Sequence, residues 1–137
     1  MKKMADYLLD TNHASKFLDG AEPLTSRVKA LQQKGFRFGI SVTVLGELYY
    51  AVYASKWREA NRARLMAFLE DIELWPFDEL AAEEFGRIQA EQKAKGKPIP
   101  PTDAQIAAVA RVHNLTVLTA DHHFSLVDSV SVENWLV

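Results

Sequence analysis

The chain has 137 residues, 48% of them hydrophobic and 25% charged, with a net charge of −2 and no cysteine. This composition fits a single globular domain over residues 1–137 and excludes disulfides and thiolate metal sites. The mild acidity also excludes a protein that coats nucleic acid by bulk charge, though not an enzyme that grips it locally.

Met4 to Leu9 reads as a short buried strand entering Asp10, and Thr11 or Asn12 can cap a helix through Leu18. Asp19-Gly20 stops that helix, Pro23 starts another to Lys34, and Gly35 ends it. Phe36 to Ile40 is a second strand, after which Ser41 caps a helix that carries Glu47 and continues through Tyr53. Arg58 to Asp71 is a further helix, with Ala63, Met66, Ala67 and Leu69 on its apolar face. Glu73 to Pro76 is a short strand, and a long helix spans Asp78 to Lys95 with Leu80, Phe85 and Ile88 at helical spacing. Three prolines make 96–101 an exposed connection, followed by a helix over Thr102 to His113 that Asn114 ends. Thr116 to Thr119 and Val130 to Val132 are the last strands. Strands alternating with helices predict an α/β fold, a mostly parallel central sheet flanked by helices on both faces. Lys and Arg concentrate in 27–37, 56–64 and 93–97, which read as solvated helix faces.

Four acids stand at the junctions of these elements. Asp10 ends the first strand, Glu47 lies in the helix pattern Val44-Leu45-Gly46-Glu47-Leu48, Asp103 opens the small apolar helix Ala104 to Ala110, and Asp121 follows the strand Val117-Leu118-Thr119. Each has an ordinary reading as a cap, a turn residue or a first-turn acid worth about 0.3–1 kcal/mol against the helix dipole. Glu47 is harder to dismiss, because Val44, Leu45, Leu48, Ala51 and Val52 predict a buried arc that includes it. Acids at successive strand ends and helix starts converge at the carboxyl edge of a parallel sheet, and such a cluster calls for a hard divalent cation. Thr11, Asn12, Ser41 and Thr119 are the candidates to orient the carboxylates by hydrogen bonds. His122 and His123 are adjacent, so their side chains are expected to point apart and to play a structural or solvent-facing role.

These segments together resemble the PIN domain and, within it, the toxin subunit of bacterial VapBC-type toxin–antitoxin pairs. The resemblance rests on Tyr7-Leu8-Leu9-Asp10-Thr11-Asn12, on Ile40 to Leu48, on Thr102-Asp103-Ala104-Gln105-Ile106-Ala107-Ala108, and on Leu118 to Phe124 with Val132-Glu133-Asn134-Trp135. It implies a Mg²⁺- or Mn²⁺-dependent endoribonuclease that cleaves RNA, transfer RNA among the options, by metal-activated water. Asp10, Glu47, Asp103 and Asp121 are then the catalytic, metal-holding residues, with no histidine as general base. The resemblance further implies a VapB-like antitoxin partner, a homodimer, and a heterotetramer or larger complex with the antitoxin. The aromatics Tyr49, Tyr50, Tyr53 and Trp57 would meet the antitoxin or a second protomer. A catalytically weak PIN domain acting as an RNA- or protein-binding module is the alternative. A dehalogenase-type phosphatase would need a second Asp at position 12, which is Asn, and a receiver domain would need an acidic pair where Asp10 stands beside Thr11. No run approaches the roughly 20 apolar residues that span a bilayer, so no membrane association and a cytoplasmic location are expected.

Overall fold

A computed structural model describes residues 6–136. Five parallel strands, β1 (Asp6–Leu9), β2 (Phe38–Ser41), β3 (Glu73–Trp75), β4 (Leu115–Leu118) and β5 (Ser131–Glu133), form one sheet in the order β3-β2-β1-β4-β5. Six helices accompany them: α1 (Thr11–Leu18), α2 (Leu24–Gln33), α3 (Val42–Ala54), α4 (Arg58–Leu69), α5 (Glu79–Lys95) and α6 (Pro101–His113). The central strands are buried almost throughout, as a parallel sheet covered on both faces requires. Met4 and Ala5, expected to open the first strand, lie outside the described residues.

The chain leaves β1 toward β2 and β3, then returns to the other side of β1 with β4. β1 and β4 therefore flank the point where strand order reverses, the usual place for a site at the carboxyl edge. Gly39 lets β2 lie close to β3, since a Cβ there would collide with the Glu73 carbonyl and the Trp75 ring. The apolar helix α6 buries Ala104 and every residue from Ile106 to Ala110. Arg111 anchors it: the guanidinium bonds Glu84 at 3.1 Å, Glu91 at 2.8 Å and the Asp128 carbonyl at 3.0 Å.

Several expected faces differ from those observed. On α4 only Leu65 is fully buried, while Ala63, Met66 and Ala67 face solvent, because this helix packs mainly on α3 at the margin of the fold. On α5 the buried residues are Ala81, Ile88 and Gln92, and Leu80 is exposed. The cap of α1 is Asp10 rather than Thr11 or Asn12, its Oδ1 accepting the Thr11 N–H at 2.8 Å.

The first turn of α1 is tied to the far end of the chain. His13 is fully buried and its Nε2 accepts the Trp135 N–H at 3.0 Å, while Trp135 packs on Tyr7 and Phe38 beneath the Arg27 guanidinium. Burial lowers the His13 pKa to about 4. Below pH ~6.5 the unfolded chain takes up a proton that native His13 refuses, so this group costs about 1.4 kcal/mol per pH unit until its native pKa is reached. His13→Gln should be less stable than the wild type at pH 7.5. Urea unfolding should show that deficit shrinking steadily toward pH 5, whereas a constant deficit would mean His13 does not titrate this way.

Candidate active site

The four acids come from three element junctions and, for Glu47, from the second turn of a helix. Asp10 follows β1, Glu47 is on α3, Asp103 is the third residue of α6, and Asp121 caps the short 3₁₀ turn His122–Leu126 after β4. An unbroken series of hydrogen bonds and close polar contacts joins them. Thr11 Oγ1 donates to Glu47 Oε1 at 2.8 Å, and the Thr11 N–H donates to Asp10 Oδ1. Thr119 Oγ1 donates to Asp10 Oδ2 at 2.8 Å and accepts the Asp121 N–H at 2.9 Å. Asp121 Oδ1 accepts the His123 N–H, and His123 Nδ1 lies 2.9 Å from Asp103 Oδ2 and 3.0 Å from Asp121 Oδ1. Thr43 Oγ1 donates to Gln105 Oε1 at 3.0 Å, joining the helix of Glu47 to that of Asp103.

Burial and crowding set the electrostatics. Asp10 is only 8% exposed. Its burial pushes the carboxyl above the ordinary aspartate range, and the Asp121 charge adds to the rise against hydrogen bonds from Thr119 and Thr11. Asp103 is raised first by burial and then by the charges of Asp121 and Asp10, with His123 opposing. The Asp103 contact in turn raises the pKa of His123.

Glu47 reaches this site from an exposed position, not from the buried arc that its neighbours suggested. Val44, Leu48 and Val52 form the buried stripe, while Ala51 faces solvent with Glu47. Glu47 lies roughly 100° around the helix from the stripe's centre, at 100° per residue. Thr11 and Thr119 orient carboxylates as expected. Ser41 instead caps α3, its Oγ accepting the Val44 N–H, and Asn12 is exposed with no hydrogen bond to the acids among the described residues. His123 also joins this cluster, contrary to the structural or solvent-facing role expected of it. The two histidines do not point apart: their rings lie 4.5 Å centroid to centroid, and the ligand atoms of Asp121, His122 and His123 lie within 4.8 Å of one another. The signal was Asp121 two residues earlier: as the cap of the turn its Oδ1 accepts the His123 N–H, which sets the His123 ring beside the carboxylates.

A mutually repelling set of oxygen donors, one buried and two half-buried, with Asp10 and Asp103 held above their ordinary pKa, suits a hard divalent cation. Asp10, Asp103 and Asp121 could hold it, with Glu47 at the rim.

Thr119→Val removes a donor to a buried carboxylate and an acceptor for the Asp121 N–H. It should cost about 1–3 kcal/mol and raise the Asp10 pKa further. Carboxyl NMR titration of the metal-free protein would show it, and an unmoved Asp10 would contradict the bond's role.

Residues 7–130 match the family described as PIN domain. The tRNA(fMet)-specific endonuclease VapC of Shigella flexneri is 32% identical over 133 residues, covering 96% of this chain and 99% of the relative. Ribonuclease VapC2 of Haemophilus influenzae is 33% identical over 134 residues, covering 97% and 100%. The crystal structure of VapBC2 from Rickettsia felis bound to a promoter DNA fragment superimposes with a TM-score of 0.87 at 30% identity, covering 95% of this chain and 98% of that one. The chain belongs to the PIN-domain family, alongside these VapC relatives.

Proposed function

We propose that this chain is a divalent-metal-dependent endoribonuclease, the toxin of a toxin–antitoxin module. The observation that carries the reading is the connected series Glu47–Thr11–Asp10–Thr119–Asp121–His123–Asp103 at the switch point of the sheet. The ribonuclease names of relatives that align along nearly the whole chain support it.

Asp10 and Asp103 would hold a Mg²⁺ or Mn²⁺ ion directly, with Asp121 beside them and Glu47 reaching in from the rim. The ion, when bound, supplies positive charge for the scissile phosphate and lowers the pKa of water at the site. The protein's own part is positioning. Thr119 and the Thr11 N–H hold both oxygens of Asp10, and the Thr11 hydroxyl fixes Glu47 toward the cluster. The exposed Glu47 is the acid best placed to meet solvent and substrate. A transfer RNA substrate is suggested by the name of the Shigella flexneri relative.

The partner reading follows the VapBC complexes that the fold resembles. A VapB-like antitoxin would cover α3 and α4, where Tyr50 is 75% exposed and Trp57 73%, and would send a cationic side chain to the acids. A homodimer that assembles further with the antitoxin, in the cytoplasm, completes the proposal. No described helix is long and apolar enough to cross a membrane.

Asp10→Asn should lower Mg²⁺-dependent cleavage of a transfer RNA transcript by about 100-fold or more, with an unchanged circular dichroism spectrum. Wild-type cleavage should stop in EDTA. A folded variant that cuts as fast as the wild type would favour a binding module instead.

A further inference from the structure

The tightest polar contacts around Asp103 and Asp121 come from a histidine, and the proposed function gives it no task. His123 Nδ1 lies 2.9 Å from Asp103 Oδ2 and 3.0 Å from Asp121 Oδ1. We propose that His123 is a nitrogen ligand of the metal site, alongside Asp103 and Asp121, and that it biases the site toward transition-metal ions such as Mn²⁺ and Co²⁺ over Mg²⁺. The inference rests on the reading that these acids hold a divalent cation.

Three observations carry it. First, one ring nitrogen faces two carboxylate oxygens and bears at most one hydrogen, which can point well at only one of them. Asp121 Oδ1 already accepts the His123 backbone N–H at 2.9 Å, so the turn is capped without the ring contact. An ion among the three groups would satisfy all of them together. Second, the spacing suits coordination. Two neighbouring ligands of an octahedral ion with bonds of roughly 2.1 Å lie about 3.0 Å apart. Third, the turn that carries the imidazole is anchored. Asp121 caps the turn at one side, and the fully buried Phe124 pins it at the other. His122, whose side chain is 80% exposed, has its Nδ1 3.9 Å from Asp121 Oδ1, beyond hydrogen-bond reach, and makes no contact with Asp103 comparable to that of His123 among the described residues.

The consequence is one of selectivity. Oxygen-only sites suit Mg²⁺ and Ca²⁺, whereas an imidazole adds affinity that rises from Mn²⁺ toward Co²⁺. Isothermal titration of the EDTA-treated full chain with MgCl₂, MnCl₂ and CoCl₂ would read this directly, for the wild type, His123→Ala and His123→Gln. The Gln variant keeps an N–H donor for Asp103 but removes the imidazole. Both variants should bind Co²⁺ about tenfold or more weakly, with Mg²⁺ affinity changed less than about threefold. Pulsed electron paramagnetic resonance of the Mn²⁺-loaded wild type should show ¹⁴N coupling that His123→Gln abolishes and His122→Ala retains. If His123→Gln binds all three ions like the wild type and the coupling is absent, His123 only positions the acids and the inference fails. Coupling lost in His122→Ala but kept in His123→Gln overturns the assignment to His123. If the wild type binds none of the ions at millimolar concentration, the metal reading of the site falls and takes this inference with it.

Discussion

Mutual repulsion among carboxylates at one edge of a parallel sheet is the constraint around which this structure is organised. Asp10 and Asp103 are both held above the ordinary aspartate range, by burial first and by neighbouring acids second. The groups around them oppose that strain. Thr119 and the Thr11 N–H donate to Asp10, and His123 sits between Asp103 and Asp121. What remains uncompensated is the demand for a cation, and this links the fold to the chemistry proposed for it.

The scaffold makes such crowding tolerable. β1 lies at the centre of the sheet, and the small residues of α6 let that helix pack closely while presenting Asp103 in its first turn. A negative group there is favoured by the helix dipole, worth about 0.3–1 kcal/mol. Arg111 fastens α6 to α5 and to the loop beyond the 3₁₀ turn, so the segments carrying Asp103 and Asp121 share one anchor. His13 ties the helix capped by Asp10 to the C-terminal segment. Charge held under tension at the site is offset by packing and paired groups some distance away.

Much of this was legible in the sequence, and the misses have physical causes. Asp10, Asp103 and Asp121 stand at junctions between apolar runs, and the α/β alternation alone places such junctions at one edge of the sheet. Glu47 was singled out on a wrong premise: it is exposed, and its tie to the cluster is a hydroxyl 36 residues earlier in the chain, which helical periodicity does not encode. The solvent-facing residues of α4 and Leu80 on α5 were misassigned because spacing shows that a helix has an apolar face, not how much of it finds a partner. His123 was missed because adjacency to His122 does not encode the cap: Asp121 accepts the His123 N–H, and the ring turns back onto Asp103 and Asp121.

The most direct test is the melting temperature of the metal-free full chain at pH 7 against that of Asp103→Asn, each with and without millimolar Mg²⁺. A carboxyl whose native pKa is raised adds stability at low pH and loses it as pH rises through that pKa. Without metal, Asp103→Asn should therefore melt above the wild type at pH 7, with the gap closing as pH falls below the carboxylate range. Mg²⁺ should raise the wild type and raise the variant less. A metal-free variant that melts no higher than the wild type, with an undiminished gain from Mg²⁺, would contradict the account of a repulsive acidic cluster completed by a cation.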